Sequence, residues 1–254
     1  MWLAAVALVG DFPIPGPNAA FVWWVVVSSV AQIGATALLL KVMAERNFAL
    51  GTAYAKTEVI QVALFGLIFL GDPLNRGVVL AIAFSMVGVM LLAPIDRKRP
   101  LRTLLEGWTT RSAMLGIASG AAFGIAAVGY RGAALALPDA AFPMAAAATL
   151  VAAQMLQTVL LGGGLLVRNA EIVVRVCREW RKSLFAGLMG ATASACWFTA
   201  MAIEPVAHVR TLALVEVLFG YAISRRFFRE PVGGIEVVGM LLLVVGLAIV
   251  TLNR

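Results

Sequence analysis

Apolar runs of about 20 residues, the length of helix that crosses a hydrocarbon core, recur almost from end to end of this chain. Stretches such as VVLAIAFSMVGVMLL (78–92) and VVGMLLLVVGLAIV (237–250) carry no charge at all. A soluble domain could not cover its surface with so little polarity. The chain is 62% hydrophobic and 13% charged, and its mean hydropathy is +0.96. It reads as an all-α polytopic membrane protein. Candidate spans lie near 20–43, 48–70, 77–94, 112–136, 142–167, 182–204, 207–228 and 234–252, eight full helices after a stump at 1–10.

The breaks between spans carry turn chemistry: DFPIPGPN, AERN, GDPLNRG, LPDAAFP, IEPV and REPVGG. The longest polar connections are 95–111 and 168–182, neither long enough for a further domain. A formal charge of +7 would point to nucleic acid in a soluble chain. Here the basic residues sit in the connections, and nucleic-acid binding is not expected. Counted on alternate sides, the stretches near 44–47, 95–111, 168–182 and 225–230 hold 15 Lys and Arg, against three (Arg76, Arg210, Arg254) opposite. The positive-inside rule makes the basic side cytoplasmic.

Two cysteines, Cys177 and Cys196, and one histidine, His208, support neither a disulfide framework nor a metal site. No P-loop, GxGxxG or HExxH appears, so neither an enzyme nor a cofactor is expected.

An internal match appears at an offset of 158. KTEVIQVALFGLIFLGDPL lies over LVEVLFGYAISRRFFREPV, aligning Glu58 with Glu216, Asp72 with Glu230, Pro73 with Pro231 and Gly88 with Gly246, with nine identities across 48–91. The apolar matches mean little in a restricted alphabet; the acidic ones carry the signal. DFPIPGP has no basic residue where its mate 168–182 has five, and GDPLNR has one where SRRFFRE has three. The halves are therefore expected to insert in opposite senses, as repeats with an odd number of helices must. The expected organisation is two inverted five-helix repeats: 1–94 lacking its first helix and most of its second, a basic connection 95–111, and a complete repeat 112–254. By the same offset the chain is expected to lack about 45–50 residues of a five-plus-five design.

The segments LGDPLNRGVVLAIAFSMVGVMLL and FFREPVGGIEVVGMLLLVVGLAIV, with FALGTAYAKTEVIQVALFGLIFLGD, resemble the EamA-type drug/metabolite transporter superfamily. The resemblance implies ten helices in two inverted repeats around a central cavity, and export or exchange of small metabolites such as amino acids.

Charged residues inside spans are the candidate site. Glu58 and its mate Glu216 lie deep in their helices, where a charge costs roughly 2.5–3.5 kcal/mol unless it is paired or hydrated. Each either binds substrate or a proton, or braces its repeat. Gly51, Tyr54, Gln61, Val62 and Phe65 share the face of Glu58. Lys56 points away from Glu58 and either meets a carboxylate on another helix or snorkels. Its mate is Leu214, so it breaks the symmetry. Arg131, late in its span, is expected to snorkel to the interface, or else to serve Glu216 or an anionic substrate. Arg210 and His208 begin a helix and are expected to be interfacial. Ser28, Ser29, Gln32, Thr36, Thr192, Ser194, Trp197 and Thr199 either line a path or join helices.

The expected function is secondary transport, as exporter or exchanger, of small metabolites across the cytoplasmic (inner) membrane. The rival is a structural or lipid-flipping subunit that transports nothing itself. The expected partners are a small-molecule substrate and the bilayer; oligomeric state has no sequence signature here.

Overall fold

A computed structural model describes residues 13–45, 48–92, 108–228 and 233–252. The described residues are all-α. Helix α1 spans Ala19–Ala44, α2 Phe48–Ala55 and α3 Glu58–Phe65, which a π-helical turn, Gly66–Leu70, prolongs. Helix α4 spans Arg76–Leu92, α5 Arg111–Leu135, α6 Phe142–Arg178, α7 Trp180–Ile203, α8 Val206–Ala213, α9 Val215–Phe228 and α10 Gly234–Leu252. Seven described helical stretches are long and apolar enough to cross a bilayer, with Gly51–Leu70 and Val206–Ile223 each acting as one stretch. Helix α4 is as apolar but has 17 residues. This is a multi-pass membrane protein.

Short polar side chains set the helix starts. Asn18 Oδ1 accepts the N–H of Phe21 at 2.8 Å, and Asn75 Oδ1 accepts that of Val78 at 2.8 Å. Each satisfies an N–H that the first turn leaves without a helical partner. Pro143 stands in the first turn of α6, where its missing N–H costs nothing. Gly71 ends the π-helical turn at φ 69°, a left-handed conformation that favours glycine, and Asp72 N–H returns to Gly66 O at 3.1 Å.

The chain divides into two compact units. The first takes the chain up to Ile33 together with Ala126–Glu204. Its core is built mostly from small residues: Ala133, Ala134 and Ala145 pack with Phe21, Val25 and Leu137. Trp24 lies against Gly132, where a Cβ would come within 2.8 Å of its indole. Small residues of this kind let membrane helices approach closely. Beside this cluster Tyr130 packs on Phe198, ring centroids 4.5 Å apart, and its hydroxyl accepts the Gln157 amide at 2.7 Å.

The second unit comprises Gly34–Ile125 and Pro205–Arg254. Its main core joins Val59 and Ala63 of α3, Val78, Ile82 and Val89 of α4, Ala207 of α8, Leu214, and Leu243 of α10. Helices α4 and α10 touch backbone to backbone. A Cβ on Gly88 would sit 2.7 Å from Gly239 O, and one on Gly246 would sit 2.8 Å from Ala81 O.

Two expectations meet the structure differently. The stretch 168–182 is helical rather than a loop: α6 continues to Arg178, broken only at Asn169 (φ −159°, ψ 74°). Apart from Asn169 it has no Pro or Gly to stop it, so its backbone keeps its bonds in the helix. Likewise α9 runs to Phe228, past the start of the expected 225–230 loop. The stump at 1–10 and most of the basic connection 95–111 lie outside the described residues.

Candidate functional site

Two of the spans are broken in mid-course, and each break lies beside a carboxylate. Between α2 and α3 the chain passes through Lys56 and Thr57 in a tightened turn. Lys56 N–H bonds Ala53 O at 3.1 Å and Val59 N–H bonds Lys56 O at 3.3 Å, each three residues back. Between α8 and α9 the break falls on Leu214. Leu214 N–H bonds Thr211 O at 3.1 Å and Val217 N–H bonds Leu214 O at 3.0 Å. All four bonds are three-residue closures, the pattern of a 3₁₀ turn. The donors and acceptors of the second break are those of the first shifted by the offset of 158. No Pro or Gly causes either break.

Each break makes a new helix start within a span. Glu58 is the first residue of α3 and Glu216 stands in the first turn of α9. A carboxylate is favoured there, because the positive end of the helix dipole lies at the new start. The two carboxylates then pair across to cations of the other broken helix. Glu58 Oε1 meets Arg210 of α8 at 3.1 Å, with side-chain exposures of 15% and 20%. Glu216 Oε1 pairs with Lys56, with exposures of 56% and 37%. One pair is nearly sealed and the other is open.

Three glycines of α5 allow the first break to lie so close. Gly116, Gly120 and Gly124 recur every four residues and form a flat stripe against α2 and α3. A Cβ on Gly120 would fall 2.8 Å from Ala55 O and 3.2 Å from Glu58 N, and one on Gly124 would fall 3.3 Å from Val62 Cγ2. At Gly116 and Gly120 the opposing atoms are backbone, which cannot yield as a flexible side chain could. Tyr54 is buried in the same seam against Ala113 and Ile117. Gln61 Nε2 donates to Thr57 Oγ1 at 3.1 Å and to Ile117 O at 3.4 Å, tying α3 to α5. Among the described residues, the buried Oε1 of Gln61 accepts no hydrogen bond, while that of Glu58 is held by Arg210. The first turn of α3 thus presents one unengaged acceptor oxygen, that of Gln61.

The structure brings Glu58, Lys56 and Glu216 to the two breaks, puts Tyr54 and Gln61 in the seam with α5, and adds Arg210 where the expectation had it at the interface. Arg210 is one helical turn before the break, so its guanidinium reaches Glu58 rather than headgroups. His208 is likewise only partly exposed. Arg131 does not snorkel either. It is 9% exposed, and one of its nitrogens donates to Met201 O at 2.9 Å and Glu204 O at 2.7 Å. Those carbonyls end α7, where the helix leaves acceptors over and the dipole is negative.

The hydroxyls of Ser28, Thr192 and Thr199 donate to carbonyls four residues back in their own helices, which leaves them local. Among the described residues no three His, Cys, Asp or Glu side chains come together as a metal site needs. The glycine stripe of α5 was a missed signal: LGIASGAAFG shows its four-residue spacing in plain sequence.

The chain is similar in fold to a protein of known crystal structure, matched over 99% of this chain and 93% of that one, with a TM-score of 0.60 and 14% identical residues. No family model matches the sequence, and no curated protein matches it.

Proposed function

We propose that this protein is a secondary transporter of small polar metabolites, amino acids above all, acting as exporter or exchanger across the cytoplasmic (inner) membrane. The observation that carries this reading is the pair of broken spans joined by crossed ion pairs. Broken helices put backbone dipoles and carboxylates at bilayer depth, a recurring design of substrate sites in secondary transporters. In this reading the open pair is the site. A zwitterion parts it, giving its carboxylate to Lys56 and its ammonium group to Glu216, while Gln61 offers a further acceptor. The sealed Glu58–Arg210 pair holds the two broken helices in register during the exchange.

The architecture belongs to the same proposal: EamA-like inverted five-helix repeats, divided as 1–94, 95–111 and 112–254, with the basic stretches cytoplasmic. Two local equivalences support it. The closures into and out of Lys56 and Leu214 match at the offset of 158. The close contact of Gly88 with Gly239 is repeated by their mates, Gly246 with Ala81. A two-fold relation generates reciprocal contacts of this kind.

The test is efflux from proteoliposomes loaded with the twenty protein amino acids and read by mass spectrometry. The proposal expects some of them to leave faster than from protein-free vesicles, and Lys56→Gln and Glu216→Gln to remove that excess. Efflux equal to protein-free vesicles for every amino acid overturns it. The second reading, a structural subunit, is favoured by one observation, the burial of the Glu58–Arg210 pair. It expects no efflux, and loss of membrane expression in Glu58→Gln.

A further inference from the structure

The first unit holds a second charged feature, remote in sequence from the broken spans. The apolar part of α6, residues 142–167, is 26 residues long. At 1.5 Å per residue it reaches about 39 Å, more than the roughly 30 Å of a hydrocarbon core. Arg168 therefore lies in the headgroup layer. At the next residue, Asn169, the backbone leaves the helical conformation (φ −159°, ψ 74°) and frees the rest of the helix from the axis of the span.

The helix beyond Asn169 is amphipathic. Glu171, Arg175 and Arg178, spaced four and three apart, fall on one narrow stripe, and Ile172, Val173 and Val176 lie on the other face. The apolar face is not packed away: Ile172, Val176 and Trp180 are 40%, 51% and 57% exposed. A helix of this pattern at this depth lies in the plane of the interface, apolar side toward the acyl chains.

The charges of the stretch are unequal. Five cations face two carboxylates, and both carboxylates are taken: Glu171 by Arg175 at 2.7 Å and Glu179 by Lys182 at 2.9 Å. Among the described residues no carboxylate pairs with Arg168, Arg178 or Arg181. The guanidinium of Arg181 stacks over Trp180, 5.4 Å from the ring centroid, which fixes it beside a side chain suited to the interface. A net surplus of three guanidinium groups at headgroup depth has one complement of matching geometry, the phosphate oxygens of lipids that bring no cation of their own.

We propose that residues 168–182 form a binding surface for anionic phospholipid, with Arg168, Arg178 and Arg181 on the phosphates and Ile172, Val176 and Trp180 in the acyl boundary. The surface anchors the turn between α6 and α7 to one leaflet, independently of what the protein transports.

The test uses the full chain in dodecyl maltoside, melted with added phosphatidylglycerol or phosphatidylcholine. Phosphatidylglycerol should raise the melting temperature by several degrees and phosphatidylcholine should not. The variant Arg168→Gln/Arg178→Gln/Arg181→Gln should lose that difference while melting as the parent does in phosphatidylcholine. Glycerol phosphate, which has the headgroup charge without acyl chains, should do nothing. Equal shifts with both lipids, an undiminished difference in the variant, or a full shift with glycerol phosphate would each overturn the proposal. Should the triple variant not purify, Arg178→Gln and Arg181→Gln singly, both at exposed positions, should each weaken the preference for phosphatidylglycerol over phosphatidylcholine in native mass spectrometry. An unchanged preference in both refutes it.

Discussion

The two broken spans carry the same acid and different bases. Glu58 and Glu216 each stand just past a break, but the first helix places its cation in the break itself, at Lys56, and the second places it a turn earlier, at Arg210. Leu214 stands where Lys56 would repeat, and Thr52 where Arg210 would. The crossed pairs are therefore unequal. Arg210 reaches Glu58 in a mostly buried place, while Lys56 and Glu216 meet where both remain substantially exposed. The difference teaches that equivalent backbone can serve opposite purposes. A buried pair holds because losing either member strands a charge, whereas an open pair costs little to separate.

The sharpest way to break this comparison is Arg210→Ala. It leaves Glu58 buried without its partner and should cost roughly 3–5 kcal/mol, read as an early melt in detergent. Arg210→Gln with Glu58→Gln should recover much of that loss. A single variant that melts like the parent would remove the sealed pair from the account. Glu58→Gln alone strands Arg210 in turn and should also melt early, and the protein that reaches the membrane should lose transport if the carboxylate also serves the cargo. Full transport at normal expression would leave it no part in the cycle.

A smaller effect extends the comparison to the neighbouring helices α4 and α10. Gly88→Ala and Gly246→Ala each push a Cβ against backbone, and each should cost about 1–3 kcal/mol. Similar losses in chemical denaturation would mark the two positions as mates, and a cost at only one of them would break the equivalence.

Smaller still in stability is the open pair. Lys56→Gln and Glu216→Gln should each shift unfolding by less than about 1 kcal/mol, yet abolish efflux. Transport at the parental rate in both would contradict the assignment of the site. Last comes a change with no energetic cost. An impermeant maleimide added outside should label Asp139→Cys and spare the native, exposed Cys177. The reverse pattern inverts the proposed topology.

Much of this was legible in sequence, for physical reasons. The spans show because a bilayer demands about 20 apolar residues in a row. Glu58 and Glu216 show because charge inside an apolar span is costly. The breaks themselves were hidden. Neither Lys56–Thr57 nor Leu214 has a Pro or Gly, and a local 3₁₀ closure leaves the apolar pattern untouched. Arg210 was misjudged because proximity to a helix start says nothing of a partner some 150 residues away. Arg131 was misjudged in the same way: its acceptors are main-chain carbonyls, which composition never displays. The stretch 168–182 read as a loop because polarity was taken for irregularity, although its Ile and Val residues keep a helical face.

Arg131 also bears on the order in which the protein is made. Its span, α5, emerges from the ribosome with a guanidinium in it, and the carbonyls that satisfy that group belong to Met201 and Glu204, some 70 residues later. At roughly 5–20 residues per second, the charge waits for several seconds. Through that interval α5 is without these two carbonyls. Nascent chains released before Met201 and after Glu204 should therefore differ in the fraction of α5 held in the bilayer. Equal insertion would mean that the clamp only tightens a helix already settled.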